Sequence, residues 1–285
     1  MQSWEIVLKR YLEFGGAPTK ARYLAQFDPD ATLRHPGMAA PIGLDGITAF
    51  IERSLEQFPD YRHTAVYWAV NGDTLFVETV CSVVAQGRLF EWPAMQHITI
   101  RGERNVRGHS HYDRSERLPP SDPDSGRRDS NVHLGILVGA IPRGAAGTDD
   151  PAHAEKLYQR FVRPYAENWQ HLDPQRFKDF YAADGRMIVP GLDWPIGREE
   201  LAHFYAAENA ARPGIKRRLE TWAVAGNLAF IQWTATWEAA GRMFELPVCE
   251  RFTLRDGLAV EAVGYYDLIT LAEMKGAMAV ARTSL

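Results

Sequence analysis

The chain has 285 residues, 46% of them hydrophobic and 24% charged. That is more than one core usually holds, in the composition of an ordinary globular protein with two domains. A formal net charge of −4 and a pI near 6.2 argue against nucleic acid or anionic membrane as the main partner. Its two cysteines, Cys81 and Cys249, are too few for a disulfide framework and too far apart for a metal knuckle, so both are expected as buried thiols.

Residues 3–14 place Ile6, Val7, Tyr11 and Phe14 at helical spacing. This stretch is amphipathic, unlike a signal peptide, and no later apolar run reaches membrane-spanning length, so the expected compartment is the cytoplasm. A short helix at about 19–27 carries Tyr23, Leu24 and Phe27. A short strand at 31–35 is broken by Pro36-Gly37, and a third helix over 44–57 puts Ile47, Phe50, Ile51 and Leu55 on one face. Four strands are then predicted at about 62–71, 74–85, 88–101 and 104–113. Turns at Asn71-Gly72-Asp73, Gln86-Gly87 and Gly102-Glu103 separate them, as hairpins require. Residues 115–131, SERLPPSDPDSGRRDSN, have almost nothing to bury and read as a linker or extended crossing segment. The short apolar run 132–142 fits a docking strand, which periodicity cannot decide, and 144–151 is loop-like.

The same order of elements then returns. Shifting the chain against itself by 154 positions aligns 11–113 with 165–267 without a gap. Pro36-Gly37 falls on Pro190-Gly191, Pro41-Ile42-Gly43 on Pro195-Ile196-Gly197, Trp68-Ala69-Val70 on Trp222-Ala223-Val224, and Tyr112-Asp113 on Tyr266-Asp267. Turn residues at equal spacing mean equal loop lengths and equal topology. The second copy therefore predicts helices at 154–169, 174–182 and 198–211 and a first strand at 185–189. The division is a first domain over 1–115, a linker over 116–151 and a second domain over 152–285.

The order of elements, the Pro-Ile-Gly turn before the third helix, the Arg255-Asp256-Gly257-Leu258 turn and a last strand closing on Tyr-Asp resemble the NTF2-like superfamily, within it the SnoaL-like polyketide cyclase and ketosteroid-isomerase group. The resemblance spans both copies and implies an α+β fold of two cone-shaped (cystatin-like α+β barrel) domains in tandem. Each would hold three helices and a curled, mostly antiparallel sheet whose mouth is a pocket. It further implies that a covalent tandem stands in for a dimer paired through the outer sheet faces, hence a monomer containing an intramolecular pseudo-dimer.

Strand alternation puts His109, His111 and Asp113 on one face and Gly108, Ser110 and Tyr112 on the other, and leaves open which face lines the cone. The resemblance implies an acid/base Asp on the last strand with a His nearby. By motif position that is Asp113, with His111 or His97; Tyr112, Trp92 or a protonated His would be the donor to an enolate. Asp113 has a second reading as a cap of the following segment, since it recurs as Asp267. His35, beside the Pro-Gly turn, suits a turn residue better than a base. His109-x-His111 has metal-ligand spacing, but the second copy carries Val263 and Tyr265 there, and neither metal nor cofactor is expected. The second copy has lost every strand histidine: Val189, Arg251, Val263 and Tyr265 replace His35, His97, His109 and His111. Candidate substrate contacts are His109 and Trp92, with Asp193, Trp194, Trp233, Tyr265 and Asp267 in the second copy. The expected function is cofactor-independent proton transfer on a small, apolar, carbonyl-bearing substrate, as an isomerase, dehydratase or polyketide-type cyclase. The alternatives are a non-catalytic binding protein and an epoxide hydrolase. No phosphate-binding glycine loop, nucleophile elbow or dinucleotide fingerprint is present, which argues against phosphoryl and hydride transfer.

Overall fold

The structure is a computed structural model that describes residues 2–85, 87–117, 150–192, 194–239 and 241–274. The run 132–142 and nearly all of the expected linker lie outside the described residues. The chain divides into two compact units, Met1–Ala146 and Gly147–Leu285.

In the first unit, helix α1 (Ser3–Gly16) buries Val7, Leu8, Tyr11 and Phe14; of the expected face Ile6 is only half-buried, and Leu8 is buried beside Val7. Thr19 caps α2 (Lys20–Leu24), its hydroxyl accepting from the Arg22 N–H at 3.2 Å. Strand β1 (Phe27–Arg34) and helix α3 (Leu44–Gln57) follow, then β2 (Arg62–Asn71), β3 (Thr74–Ala85), β4 (Arg88–Arg101) and β5 (Arg104–His111). The sheet order is β1-β5-β4-β3-β2. All neighbours are antiparallel except β1 and β5, which run parallel. The sheet is open, with β1 and β2 as its edges, rather than a closed barrel.

Three boundaries differ from the sequence reading, the first being α2, expected over 19–27, which ends at Leu24. β1 begins at Phe27 because Asp28-Pro29-Asp30, turn-like in sequence, lies within the strand, at a register shift between Phe27 and Thr32. There the two carboxylates take hydrogen bonds from Arg101. β5 stops at His111, so Tyr112-Asp113 leads into the short helix α4 (Arg114–Arg117).

The second unit repeats the plan with one local departure. The helix expected over 154–169 is divided into α5 (Pro151–Leu157), a π turn (Tyr158–Val162) and α6 (Arg163–His171). Pro164 has no N–H and its ring crowds the preceding turn, and the wider turn absorbs both defects. A 3-10 helix (Pro174–Phe180) stands where an α-helix was expected. After it come β6 (Tyr181–Ile188), β7 (Ile196–Gly197), α7 (Leu201–Ala211), β8 (Lys216–Ala225), β9 (Leu228–Ala239), β10 (Arg242–Arg255) and β11 (Leu258–Tyr265). The order is β7-β6-β11-β10-β9-β8, with β6 parallel to β11. In the first unit β7 is reduced to a single bridge between Leu33 and Ile42. The repeated Pro-Gly turns match: Gly37 and Gly191 both sit at φ 81°, where a side chain is strained.

The interiors differ. In the second unit one continuous cluster, including Phe161, Tyr165, Trp169, Phe177, Trp233 and Trp237, fills the concave side of the sheet. In the first, the buried residues fall into separate groups, one around Trp92 and Tyr112 and another around Phe27 and Ile47. Between them a cavity opens.

Candidate functional site

The cavity holds about 80 Å³ and is bounded by α1, α2, α3 and the concave face of the sheet. A water needs roughly 10–15 Å³ on this measure, so there is room for a small organic group. Phe14, Tyr23, Phe50, Phe58 and Trp92 make most of the wall apolar and aromatic. The polar residues in its lining are His35, Tyr61, Gln96 and Tyr112, with Ser54 and Cys81. An apolar wall with a few convergent polar groups is the usual form of a small-molecule site.

The sheet register settles the open question of parity. Trp92, Ala94 and Gln96 of β4 line the cavity. Ser110 of β5 is paired opposite Gln96 and donates to its Oε1 at 2.6 Å. Ser110 and Tyr112 therefore belong to the cavity side, and His109 and His111 to the far side. The Tyr112 hydroxyl lies 3.5 Å from His35 Nδ1, and the His35 ring stacks on Phe50 with centroids 4.5 Å apart. His35 thus follows β1 at the Pro-Gly turn and also lines the cavity. Of the residues weighed for chemistry, Tyr112 and Trp92 line the cavity, and so does His35, which the sequence reading favoured as a turn residue; His35 and Tyr112 are brought together.

Asp113, His111, His97 and His109 are not. His97 pairs with His109 across β4 and β5 on the far face, and its ring lies 5.2 Å from that of Phe76. His109 and His111 lie side by side at 4.1 Å. Burial first, then Arg107, pushes His97 down to about 4. Burial, then Arg34, His97 and His35, takes His109 to about 3, and burial with His109 lowers His111 well below its ordinary value. These rings are neutral near pH 7 and turned from the cavity. The Asp113 carboxylate accepts from the Ser115 N–H at 2.9 Å and from the Ser115 hydroxyl at 2.6 Å, which is the geometry of a helix cap. Its twin Asp267 accepts from the Thr270 N–H at 3.0 Å and from the Thr270 hydroxyl.

The second unit's concave side is closed. Only about 20 Å³ remains there, space for a single water. Trp233, fully buried, donates from Nε1 to Glu250 Oε2 at 2.8 Å, and Arg217 bonds the other oxygen at 2.7 Å. Tyr266 lines that small space, so Tyr265 faces the opposite way. Trp194 is 67% exposed. Asp193 lies outside the described residues.

The cavity also contains groups that strand reading did not single out: Tyr61, Cys81, Gln96 and, behind the wall, His63. Comparison of the copies carries their signal, because the second copy has Ile215, Ala235, Glu250 and Arg217 at these positions. Burial raises the Tyr61 phenol well above its ordinary value, so it stays protonated near neutral pH. Among the described residues no cluster of three His, Cys, Asp or Glu is arranged to hold a metal ion. No helix among them is long and apolar enough to cross a membrane.

The model of the SnoaL-like domain matches residues 8–108 and again 162–262. No curated protein matches the chain. Among solved structures, IdmH of Streptomyces antibioticus, described as a candidate polyketide cyclase, is 20% identical and covers 42% of this chain and 99% of its own, with a TM-score of 0.39. A candidate SnoaL-like polyketide cyclase from Jannaschia sp. CCS1 is 22% identical over 44% of this chain and 95% of its own, with a TM-score of 0.39. A protein of ketosteroid isomerase-like fold from Catenulispora acidiphila, solved with trimethylamine, is 21% identical over 38% of this chain and 85% of its own, with a TM-score of 0.35. Matched twice and over most of its length, the chain belongs to the SnoaL-like domain family and carries that domain in tandem.

Proposed function

We propose that the first unit is a cofactor-independent acid/base catalyst acting on a small, largely apolar, carbonyl-bearing molecule, as an isomerase, dehydratase or cyclase. The observation that carries this reading is the His35–Tyr112 pair facing an aromatic cavity in a SnoaL-like domain. Proton removal beside a carbonyl needs a base of near-neutral pKa held away from bulk water, and an imidazole supplies one. His35 takes the proton from carbon; the Tyr112 hydroxyl orients the ring or donates to the oxygen on which charge develops. The aromatic wall holds a flat apolar substrate and excludes solvent. The second unit, with its closed interior, is proposed as support. A non-catalytic role is favoured by that same closure only for the second unit, since the first keeps its cavity.

The test follows α-proton exchange into D2O by proton NMR, using the enolisable bicyclic ketones 2-tetralone and 2-indanone as probes. Wild-type protein is expected to accelerate exchange, and His35→Gln to lower the rate by roughly 10²-fold, the usual scale for a general base. Tyr112→Phe is expected to lower it by about 10-fold or more. Wild-type protein that leaves both ketones at the buffer rate would refute the reading.

A further inference from the structure

A second tyrosine–histidine pair stands at the same cavity. Tyr61 precedes β2, at the opposite end of the sheet order from β1 and β5, and lines the cavity. The Tyr61 hydroxyl oxygen lies 3.4 Å from His63 Nδ1 and 3.5 Å from Cys81 Sγ. His63 itself is buried behind the wall, 5% exposed. Its other nitrogen, Nε2, lies 3.1 Å from the Tyr11 carbonyl oxygen. A carbonyl only accepts, so Nε2 carries the hydrogen and Nδ1 is left as an acceptor directed at the Tyr61 hydroxyl. The contacts are long, as acid/base contacts often are before a substrate closes them.

The site is built for this ring. His63 packs against Tyr11 at 4.2 Å and Phe14 at 5.6 Å between centroids, both from α1. A side chain at Gly15 would come within 2.6 Å of His63 Nε2, so helix and imidazole approach this closely only because residue 15 is glycine. The repeat supplies the control. In the second copy Gly15 becomes Trp169 and His63 becomes Arg217, whose guanidinium lies 4.0 Å over the Trp169 ring. Tyr61 and Cys81 become Ile215 and Ala235. All four positions change together, and they change in the unit whose cavity is closed.

We propose that Tyr61, set by His63, is a second proton-transfer station of the first unit's cavity, working opposite the His35–Tyr112 pair. This rests on the acid/base reading of that cavity. A proton leaving a substrate hydroxyl or carbon bonds to the Tyr61 oxygen while Tyr61's own O–H breaks and its proton passes to His63 Nδ1. The electron pair stays on the substrate as oxyanion or enolate, and the imidazolium formed is held by its Nε2–H on the Tyr11 carbonyl. The reverse step returns the proton. Burial holds His63 at about 4, so near pH 7 the ring is neutral and its Nδ1 is set to accept the Tyr61 hydrogen bond, while the imidazolium forms only transiently and hands its proton back. Isomerisation and dehydration both take a proton at one atom and deliver one at another, which two stations on different walls allow. Tyr61 touches the cavity and is the catalytic group; His63 acts through it and is a positioning residue.

The closing experiment has two readouts. In 15N NMR of the full chain, His63 is expected as the Nε2–H tautomer, and Tyr61→Phe should move the Nδ1 signal toward that of an imine nitrogen with no donor. A Nδ1 signal indifferent to Tyr61→Phe would overturn the hydrogen bond on which the relay depends. In the ketone exchange assay, Tyr61→Phe is expected to lower the rate by about 10²-fold and His63→Gln by about 10-fold or more. Glutamine keeps an acceptor for Tyr61 and a donor for Tyr11 but cannot take the proton. If His35→Gln abolishes exchange while Tyr61→Phe and His63→Gln keep the wild-type rate, the second station is wrong and the first stands. If wild-type protein gives no exchange, the acid/base reading itself fails and the station falls with it.

Discussion

Asp113 is 2% exposed, and both carboxylate oxygens are held by Ser115. A carboxylate committed to two local donors at the start of α4 is poorly placed to attack a substrate proton, and it does not line the cavity. Asp113→Ala is expected to cost about 1 kcal/mol or more in denaturant unfolding, the scale of a lost cap, and to leave ketone exchange within about twofold of wild type. A 10²-fold loss of exchange in a variant that still folds would return Asp113 to the mechanism. The residue's two readings, base or cap, were both legible from its position, and its recurrence as Asp267 pointed to the cap. Tyr112 was legible as a polar aromatic residue closing the last strand and Trp92 as an aromatic within β4, whereas His35, beside the Pro-Gly turn, read as a turn residue. His63 was not legible. It reads as one polar residue in an alternating strand, and only the three-dimensional closeness of Gly15, 48 positions away in the chain, gives it meaning.

At the scale of elements, equal turn spacing made the hairpins and their register readable, since β2, β3 and β4 span the residues that the turns delimit. What alternation cannot supply is which face of a strand is concave, because both faces of β4 carry large side chains, Trp92 on one and Met95 and His97 on the other. The π turn was hidden for a different reason: Pro164 sits inside an otherwise continuous helical pattern, and a break there can be placed only by seeing how the chain wraps. The strands of the second unit hold a buried ionic cluster where the first has neutral groups. Arg217 of β8 and Glu250 of β10 are 8% and 4% exposed and bond at 2.7 Å, with Trp233 of β9 completing the carboxylate. Removing one partner strands a charge in a dry interior, a cost on the order of 3–5 kcal/mol, whereas replacing both with apolar residues is close to neutral. Glu250→Ala is therefore expected to destabilise the second unit by that amount, and Glu250→Leu combined with Arg217→Met to recover most of it. Equal losses in the single and double variants, measured by urea unfolding, would mean that packing rather than charge sets the cost.

At the scale of the whole molecule, the shifted histidines among the described residues all lie in the first unit. His63 and His97 are held at about 4 and His109 at about 3, chiefly by burial, against an ordinary value of 6.5. The matching positions of the second unit are Arg217, Arg251 and Val263. A folded-state value below the unfolded one means that the unfolded chain binds more protons in the interval between them. Stability is then complete above about pH 6.5 and falls as pH drops toward 4. Lowering from 6.5 to about 4 corresponds to roughly 3 kcal/mol for each ring, so His63 and His97 together approach the ~5–15 kcal/mol stability of a typical domain. In the second unit, burial tends to raise Glu261, but Arg251 and Arg186 outweigh it and hold the carboxylate below its ordinary range, so its loss comes later on acidification. The first unit is therefore expected to open before the second between pH 6 and about 4. Hydrogen exchange pulsed at pH 7.5, 5.5 and 4.5 reads this directly: amides of β2–β5 should lose protection while those of β8–β11 keep theirs. Simultaneous loss from both sheets, or a first unit still protected at pH 4.5, would remove the histidines as the cause and leave ordinary carboxylate titration, common to both halves, as the source of acid sensitivity.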